Sequence, residues 1–114
     1  ERVAGAFPAV LCGDFNTEPG SATYNVVAEH GMGMGSAYGP AGVDSEPPMT
    51  TWKFRPKGES KRTIDYVWFR SEHLAPRALW KLPTEEEIGP DGLPCAVYPS
   101  DHLALGVELG YVDA

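Results

Sequence analysis

Alternating apolar and polar positions predict one central strand that carries a single acid. Residues 63–69 read Thr-Ile-Asp-Tyr-Val-Trp-Phe, the β-branched and aromatic composition of a strand. A period of two places Ile64, Tyr66 and Trp68 on one face and Asp65 on the other. An ionised carboxylate among apolar neighbours is costly without a partner. Asp65 is therefore expected either to reach water from an edge strand or to bind a cationic partner.

The same pattern along the rest of the chain predicts an α+β fold with short strands, few short helices and long loops. Further strands are predicted at 9–13, 50–55, 74–82 and 103–109, and Pro76 indicates an edge or a bulge in the third. Helices are predicted from an N-cap at Ser21 to Glu29 and from a capping box that opens at Thr84. Residues 31–48 and 89–99 are predicted to be loops because they are rich in glycine, proline and serine.

A turn signal at 56–59 connects two of the predicted strands. It predicts a β-hairpin that pairs 50–55 with 63–69 and carries Lys53, Arg55 and, depending on register, Asp65 on its polar face. The two cations suit a ligand with negative charge. A solvated hairpin face is the equally simple alternative for them.

Polar residues stand next to two predicted strands, where a rigid sheet can aim them into a site. Asp14 and Asn16 follow the strand at 9–13, and Asp101 and His102 precede the strand at 103–109. Taken separately, the first pair equally describes a plain turn, and a lone histidine is commonly a hydrogen-bonded surface residue.

Together with Asp65, these residues supply what phosphate-ester hydrolysis requires. A carboxylate can orient water, and an amide and an imidazolium can donate to phosphoryl oxygens. A protonated histidine needs its own carboxylate, which Asp65 could provide. A hard divalent cation held by carboxylates can supply the remaining positive charge.

Composition narrows the class of ligand. The chain has 114 residues and a net charge of −7, yet five of its nine basic residues lie between positions 53 and 62. An acidic protein gains little from nonspecific attraction to nucleic acid, so this cluster favours one or two phosphates of a bound ligand. Two isolated cysteines argue against a zinc site and suit a reducing compartment, so we expect a cytoplasmic location, with mitochondria as the alternative. No apolar run approaches the ~20 residues of a membrane helix.

Three motifs in order resemble the endonuclease/exonuclease/phosphatase superfamily. They are Gly13-Asp14-Phe15-Asn16, Thr63-Ile64-Asp65-Tyr66 and Ser100-Asp101-His102. Within it, Thr50-Thr51-Trp52-Lys53 and Glu86-Glu87-Ile88-Gly89-Pro90 are similar to the deadenylase branch of carbon catabolite repressor proteins. The resemblance implies a deoxyribonuclease I-like fold, a four-layer α/β/β/α sandwich of mostly antiparallel sheet.

The resemblance also implies roles for the catalytic residues. Asp14 would position the attacking water, and Asn16 and His102 would hold the phosphate. Asp65 would pair with His102.

The metal and the substrate follow from the same resemblance. Asp101 would face a magnesium ion, and Lys53 and Arg55 would lie near the substrate phosphates. The substrate would be NADP(H), which loses its 2′-phosphate, or the 3′ end of poly(A) RNA.

One departure from the family pattern bears on activity. The family has a magnesium-binding glutamate and a further histidine upstream of the first motif, where this chain offers only Glu1 to Ala9. We therefore expect residues 1–114 to be the C-terminal half of one catalytic domain, nearly inactive alone. The other half, or a second copy, would cover its exposed sheet. A noncatalytic fragment that serves interaction is the alternative from a different class.

Overall fold

The computed structural model describes residues 7–112. Within them, every pair of neighbouring strands is antiparallel and the helices are short, so the predicted α+β class is confirmed. The strands are β1 (Val10–Asp14), β2 (Met34–Ser36), β3 (Thr51–Arg55), β4 (Gly58–Arg62), β5 (Asp65–Arg70), β6 (Leu74–Leu79) and β7 (Val107–Tyr111). The helices are α1 (Ala22–Ala28), α2 (Glu85–Ile88) and a 3₁₀ turn (Val43–Ser45). Neither α-helix is long and apolar enough to cross a membrane.

The strand that carries Asp65 is the middle strand of a three-stranded sheet. Its order is β1-β5-β2, so β5 is hydrogen-bonded on both sides. The predicted alternation is observed, because Tyr66 and Trp68 are buried against Tyr24 of α1. The strand of Asp65 is therefore not an edge strand, although β2 reaches only residues 68–70 and Asp65 itself pairs with β1 alone.

The predicted hairpin between 50–55 and 63–69 is wrong. β3 pairs instead with β4, through a tight turn in which Arg55 faces Gly58. Gly58 adopts a φ of 133°, a conformation that glycine takes without steric cost. This turn returns the chain after two residues, so 58–62 fills the place next to β3. The chain then passes through Thr63 and Ile64 into the other sheet.

Other boundaries differ in smaller ways. The N-caps at Ser21 and Thr84 are confirmed, and the register shift between Pro76 and Ala78 is the predicted bulge. β2 lies inside the predicted loop at 31–48. The last strand begins at Val107 rather than at residue 103, because the backbone N–H of Leu103 donates to the carbonyl of Thr50, which immediately precedes β3.

Candidate active site

The carboxylates of Asp14 and Asp65 lie opposite each other on adjacent strands of the three-stranded sheet. In the register of β1 and β5, Asp14 lies directly opposite Asp65. Like charges in such a pair are destabilising, so a positive or polar group between them is required. The imidazole of His102 fills this place. Its Nδ1 lies 2.9 Å from Oδ2 of Asp65, and its Nε2 lies 4.0 Å from Oδ2 of Asp14.

The segment that carries His102 is held against β3. His102 forms an isolated antiparallel bridge with Thr51, and the backbone N–H of Trp52 donates to the carbonyl of Asp101. The hydroxyl of Thr51 donates to the same carbonyl at 2.7 Å. The hydroxyl of Ser100 accepts the N–H of His102 at 3.0 Å. These hydrogen bonds hold the backbone of His102 and of the residues that precede it in place against β3.

The contact with Asp65 determines how the imidazole is oriented. A carboxylate only accepts hydrogen bonds, so the ring nitrogen facing Asp65, Nδ1, must carry a proton. The side chain of Asp65 is 15% exposed, whereas that of Asp14 is 51% exposed. Nε2 is therefore the ring nitrogen that points toward the open carboxylate, where a ligand can enter.

Asn16 lies at the same end of β1. One oxygen of Asp14, Oδ1, accepts the backbone N–H of Asn16 at 2.8 Å, which leaves Oδ2 toward His102. Asn16 has a φ of 49°, a left-handed conformation that asparagine tolerates better than most residues. The Gly-Asp-x-Asn motif is thus a turn in its geometry, and that turn brings the backbone N–H of Asn16 to the carboxylate of Asp14.

A row of cations borders this site on one face of the β3–β4 hairpin. Thr51 pairs with Arg62 in the register, and alternate residues of a strand share a face, so Lys53 and Arg55 lie on the face of Arg62. Lys61 belongs to the opposite face. Its Nζ lies 5.0 Å from the centre of the Trp52 ring. The basic cluster in the sequence is therefore divided, and three of its cations face the site.

Asp101 neutralises part of this row. Its Oδ2 lies 3.2 Å from Nζ of Lys53 and 3.4 Å from Nη2 of Arg55. The hydrogen bond from Lys53 holds the pKa of Asp101 below its ordinary value. Asp101 thus orients the two cations that the sequence analysis assigned to substrate phosphates.

Arg62 was counted in the basic cluster of the sequence, but it was not predicted as an individual site residue. Its guanidinium contacts the backbone oxygen of Asn16 at 3.4 Å and the Oδ1 of Asn16 at 3.5 Å, and its Nε lies 3.1 Å from Oε1 of Glu18. The alternation of residues with a period of two along 58–62 was the sequence signal that could have identified Arg62. It was hidden because the hairpin partner of β3 was predicted to begin at residue 63.

The described residues contain one group that could hold a metal ion. Ligand atoms of Asp14, Asp65 and His102 all lie within 4.8 Å of one another. Mg²⁺ binds through one or two carboxylates together with water and substrate phosphate, so Asp14 with Asp65 fits such an ion. Asp101 is not in this group, and its role toward a metal stays a prediction.

Comparison with known proteins gives this geometry a context. A model of the Endonuclease/Exonuclease/phosphatase family matches residues 2–102. The chain is 45% identical over 106 residues to Nocturnin of Xenopus laevis, covering 91% of this chain and 27% of that protein. It is 44% identical over 108 residues to Nocturnin of Homo sapiens, covering 93% of this chain and 25% of that protein.

More distant relatives and a solved structure extend the comparison. The chain is 30% identical to the 3′-5′-exoribonuclease subunit Ccr4 of the CCR4-Not complex of Aspergillus clavatus, covering 89% of this chain and 18% of that protein. The human Nocturnin catalytic domain with bound sulfate anion superposes with a TM-score of 0.71 at 33% identity. That match covers 94% of this chain and 34% of the solved one. The chain thus spans about a quarter of the nocturnins and about a third of the solved domain.

Proposed function

Because this chain belongs to the endonuclease/exonuclease/phosphatase family, we propose that it forms part of a metal-dependent phosphohydrolase that removes the 2′-phosphate of NADP(H). Family membership confirms the resemblance drawn from the three motifs, and the Nocturnin and Ccr4 relatives confirm the resemblance to the deadenylase branch. The deoxyribonuclease I-like fold is confirmed as well. The observation that carries the proposal is the imidazole of His102 between the carboxylates of Asp65 and Asp14.

In this proposal the four polar residues act on the attacking water, the phosphoryl group or the imidazole. Oδ2 of Asp14 orients a water molecule and takes its proton as the water oxygen bonds to phosphorus. The ester P–O bond breaks, and the released ribose oxygen takes a proton from solvent. Nε2 of His102 and the amide of Asn16 donate to the phosphoryl oxygens, where charge develops. Asp65 keeps the imidazole aligned through its Nδ1–H.

A divalent cation would bind at Asp14 and Asp65, and when bound it supplies positive charge to the phosphoryl group. Magnesium suits these ligands because it prefers carboxylate oxygen and keeps several waters. We propose magnesium for this site, and Asp101 as a residue that faces it.

The preference for a dinucleotide rests on the arrangement of charge. Three cations, Lys53, Arg55 and Arg62, share the face toward the site, while the chain as a whole has a charge of −7. A local row of this size suits one or two phosphates better than a long RNA backbone, whose binding grows with the number of neutralised phosphates. A solved relative carries a bound sulfate, a tetrahedral anion similar in shape to phosphate.

A poly(A)-specific 3′ exoribonuclease is the second candidate. It is supported by the relatives named as 3′-5′-exoribonuclease subunits, which are 30% identical to this chain. Both reactions hydrolyse a phosphate ester at the same site. They differ in the product, which is inorganic phosphate from NADPH and AMP from oligo(A).

The test is an assay of the full-length protein with magnesium on both substrates. We expect phosphate release from NADPH that EDTA and Asp14→Ala abolish, with little AMP release from oligo(A). AMP release alone would establish the exoribonuclease. Absence of activity on both substrates would favour the alternative from a different class, a noncatalytic fragment that serves interaction.

We also propose that residues beyond this chain complete the catalytic domain. β1 is exposed along its whole length, and Val10 and Leu11 are each about half exposed. Apolar side chains on an open strand of this kind are usually covered by further structure. Residues 1–114 alone should therefore be nearly inactive. A segment of the same protein or a second copy would supply the cover, and light scattering of this chain separates the two.

A further inference from the structure

Thr50 is fully buried, and it bonds to both chain segments that build the histidine–aspartate pair. Its hydroxyl accepts the backbone N–H of Ile64 at 2.9 Å and the backbone N–H of Asp65 at 3.2 Å. Its carbonyl accepts the backbone N–H of Leu103 at 2.7 Å, one residue after His102. A single residue thus connects Asp65 and His102.

The reason for this arrangement lies in the path of the chain. Residues 63 and 64 lie between β4 and β5, where the chain leaves one sheet and enters another. Buried N–H groups at such a crossing need an acceptor from outside the sheets. The threonine hydroxyl has two lone pairs, so it can accept both N–H groups.

We propose that Thr50 is a positioning residue that sets the separation of Asp65 and His102. Its consequence for rate rests on the proposed function. Without the hydroxyl, two buried N–H groups lose their acceptor, and the start of β5 must shift to find another. The 2.9 Å contact between Oδ2 of Asp65 and Nδ1 of His102 would then lengthen, and Nε2 would lose its alignment. Misplacement of about 1 Å can cost about 100-fold in rate.

Matched variants separate positioning from simple stability. Thr50→Val keeps the shape and removes the acceptor, and Thr50→Ser restores the hydroxyl. Tyr24→Phe is the control, because Tyr24 is also buried and its hydroxyl donates at 2.8 Å to Glu46, which is outside the site. If Thr50→Val does not fold, Thr50→Cys replaces it, since a thiol is a weak acceptor.

Two measurements on the full-length protein give the answer. We expect Thr50→Val to lower kcat about 10- to 100-fold with little change in KM. Thr50→Ser and Tyr24→Phe should stay within about threefold of the unchanged protein. Histidine-ring nitrogen NMR, which needs no activity, should show the proton on Nδ1 of His102 in the unchanged protein and in Thr50→Ser. That signature should be lost in Thr50→Val.

Other results would overturn the inference. An unchanged ring spectrum in Thr50→Val, or an equal loss of kcat in Tyr24→Phe, would mean that Thr50 acts only on stability. An unchanged protein without activity on either substrate would refute the proposed function. The ring spectra would still decide the role of Thr50.

Discussion

Asp14 and Asp65 are direct cross-strand partners, although both are acids. A sheet selected for stability alone would avoid this pair, because like charges directly opposite each other raise the energy of the folded state. Conflicts between local stability and sequence are expected at functional sites. The imidazole of His102 contacts Asp65 and faces Asp14, so it reduces the conflict without removing it.

This relationship predicts that replacing Asp14 raises the stability of the fold and lowers its activity. Asp14→Asn keeps the oxygen that accepts the N–H of Asn16 but removes one of two facing charges. We expect the free energy of unfolding to rise slightly, by up to about 1 kcal/mol. Phosphate release should fall at least about 100-fold, since the group that orients water is lost. Urea denaturation and the NADPH assay measure the two effects.

The control for this variant is Asp91→Asn, which changes an exposed loop acid. It should alter neither quantity. A loss of more than about 1 kcal/mol in Asp14→Asn would contradict the argument, because it would mean that the pair is net favourable.

The division of the basic cluster predicts different effects for two lysines. Lys53 lies on the face toward the site, whereas Lys61 lies on the opposite face and contacts Glu85 at 2.6 Å. Lys53→Met should raise KM for NADPH about 10-fold or more, because a hydrogen bond to a charged group is lost. Lys61→Met removes the same charge and should leave KM within about twofold. Equal effects would show that only net charge matters.

The ion pair at Asp101 predicts a dependence of stability on acid. The hydrogen bond from Lys53 lowers the pKa of Asp101 in the folded state. A lowered folded pKa stabilises the fold above the unfolded pKa of about 3.9 and loses that effect as pH falls through the folded value. The difference in unfolding free energy between the unchanged protein and Asp101→Asn should therefore be constant near neutral pH and shrink below about pH 4. Urea denaturation at several pH values measures it, and a difference that grows in acid would refute the assignment.

The buried tyrosines predict that the stability of the fold decreases at high pH. Burial raises the pKa of Tyr24 and Tyr66 above the ordinary value, and Glu46 adds to the effect in both. A raised folded pKa gives stability that is complete below the unfolded pKa of about 10 and is lost as pH rises. Absorbance titration should show at least two tyrosines that ionise only as the protein unfolds. Tyr24→Phe should remove one of them, and early ionisation of both would contradict the burial.

Local signals in the sequence predicted those elements whose bonds are local. The caps at Ser21 and Thr84 bond within their own helices, and the alternation around Tyr66 follows from one buried face. The turn geometry of Asp14 and Asn16 is likewise local.

The pairing of strands could not be predicted in the same way, because it depends on distant partners. The hairpin was assigned to 63–69 because that run is strongly apolar, yet the polar run at 58–62 is next to the turn and pairs with β3. The last strand starts late because the N–H of Leu103 bonds to Thr50, far away in sequence. Arg62 was missed for the same reason, since its place beside Asn16 follows from the pairing of β3 with β4.

The most direct test is a crystal structure of the full-length protein with inorganic phosphate and magnesium. We predict a phosphate within hydrogen-bonding distance of Nε2 of His102 and the side-chain amide of Asn16, with Nδ1 of His102 still on Asp65. A phosphate bound only elsewhere, or an imidazole turned away from Asp65, would contradict the account.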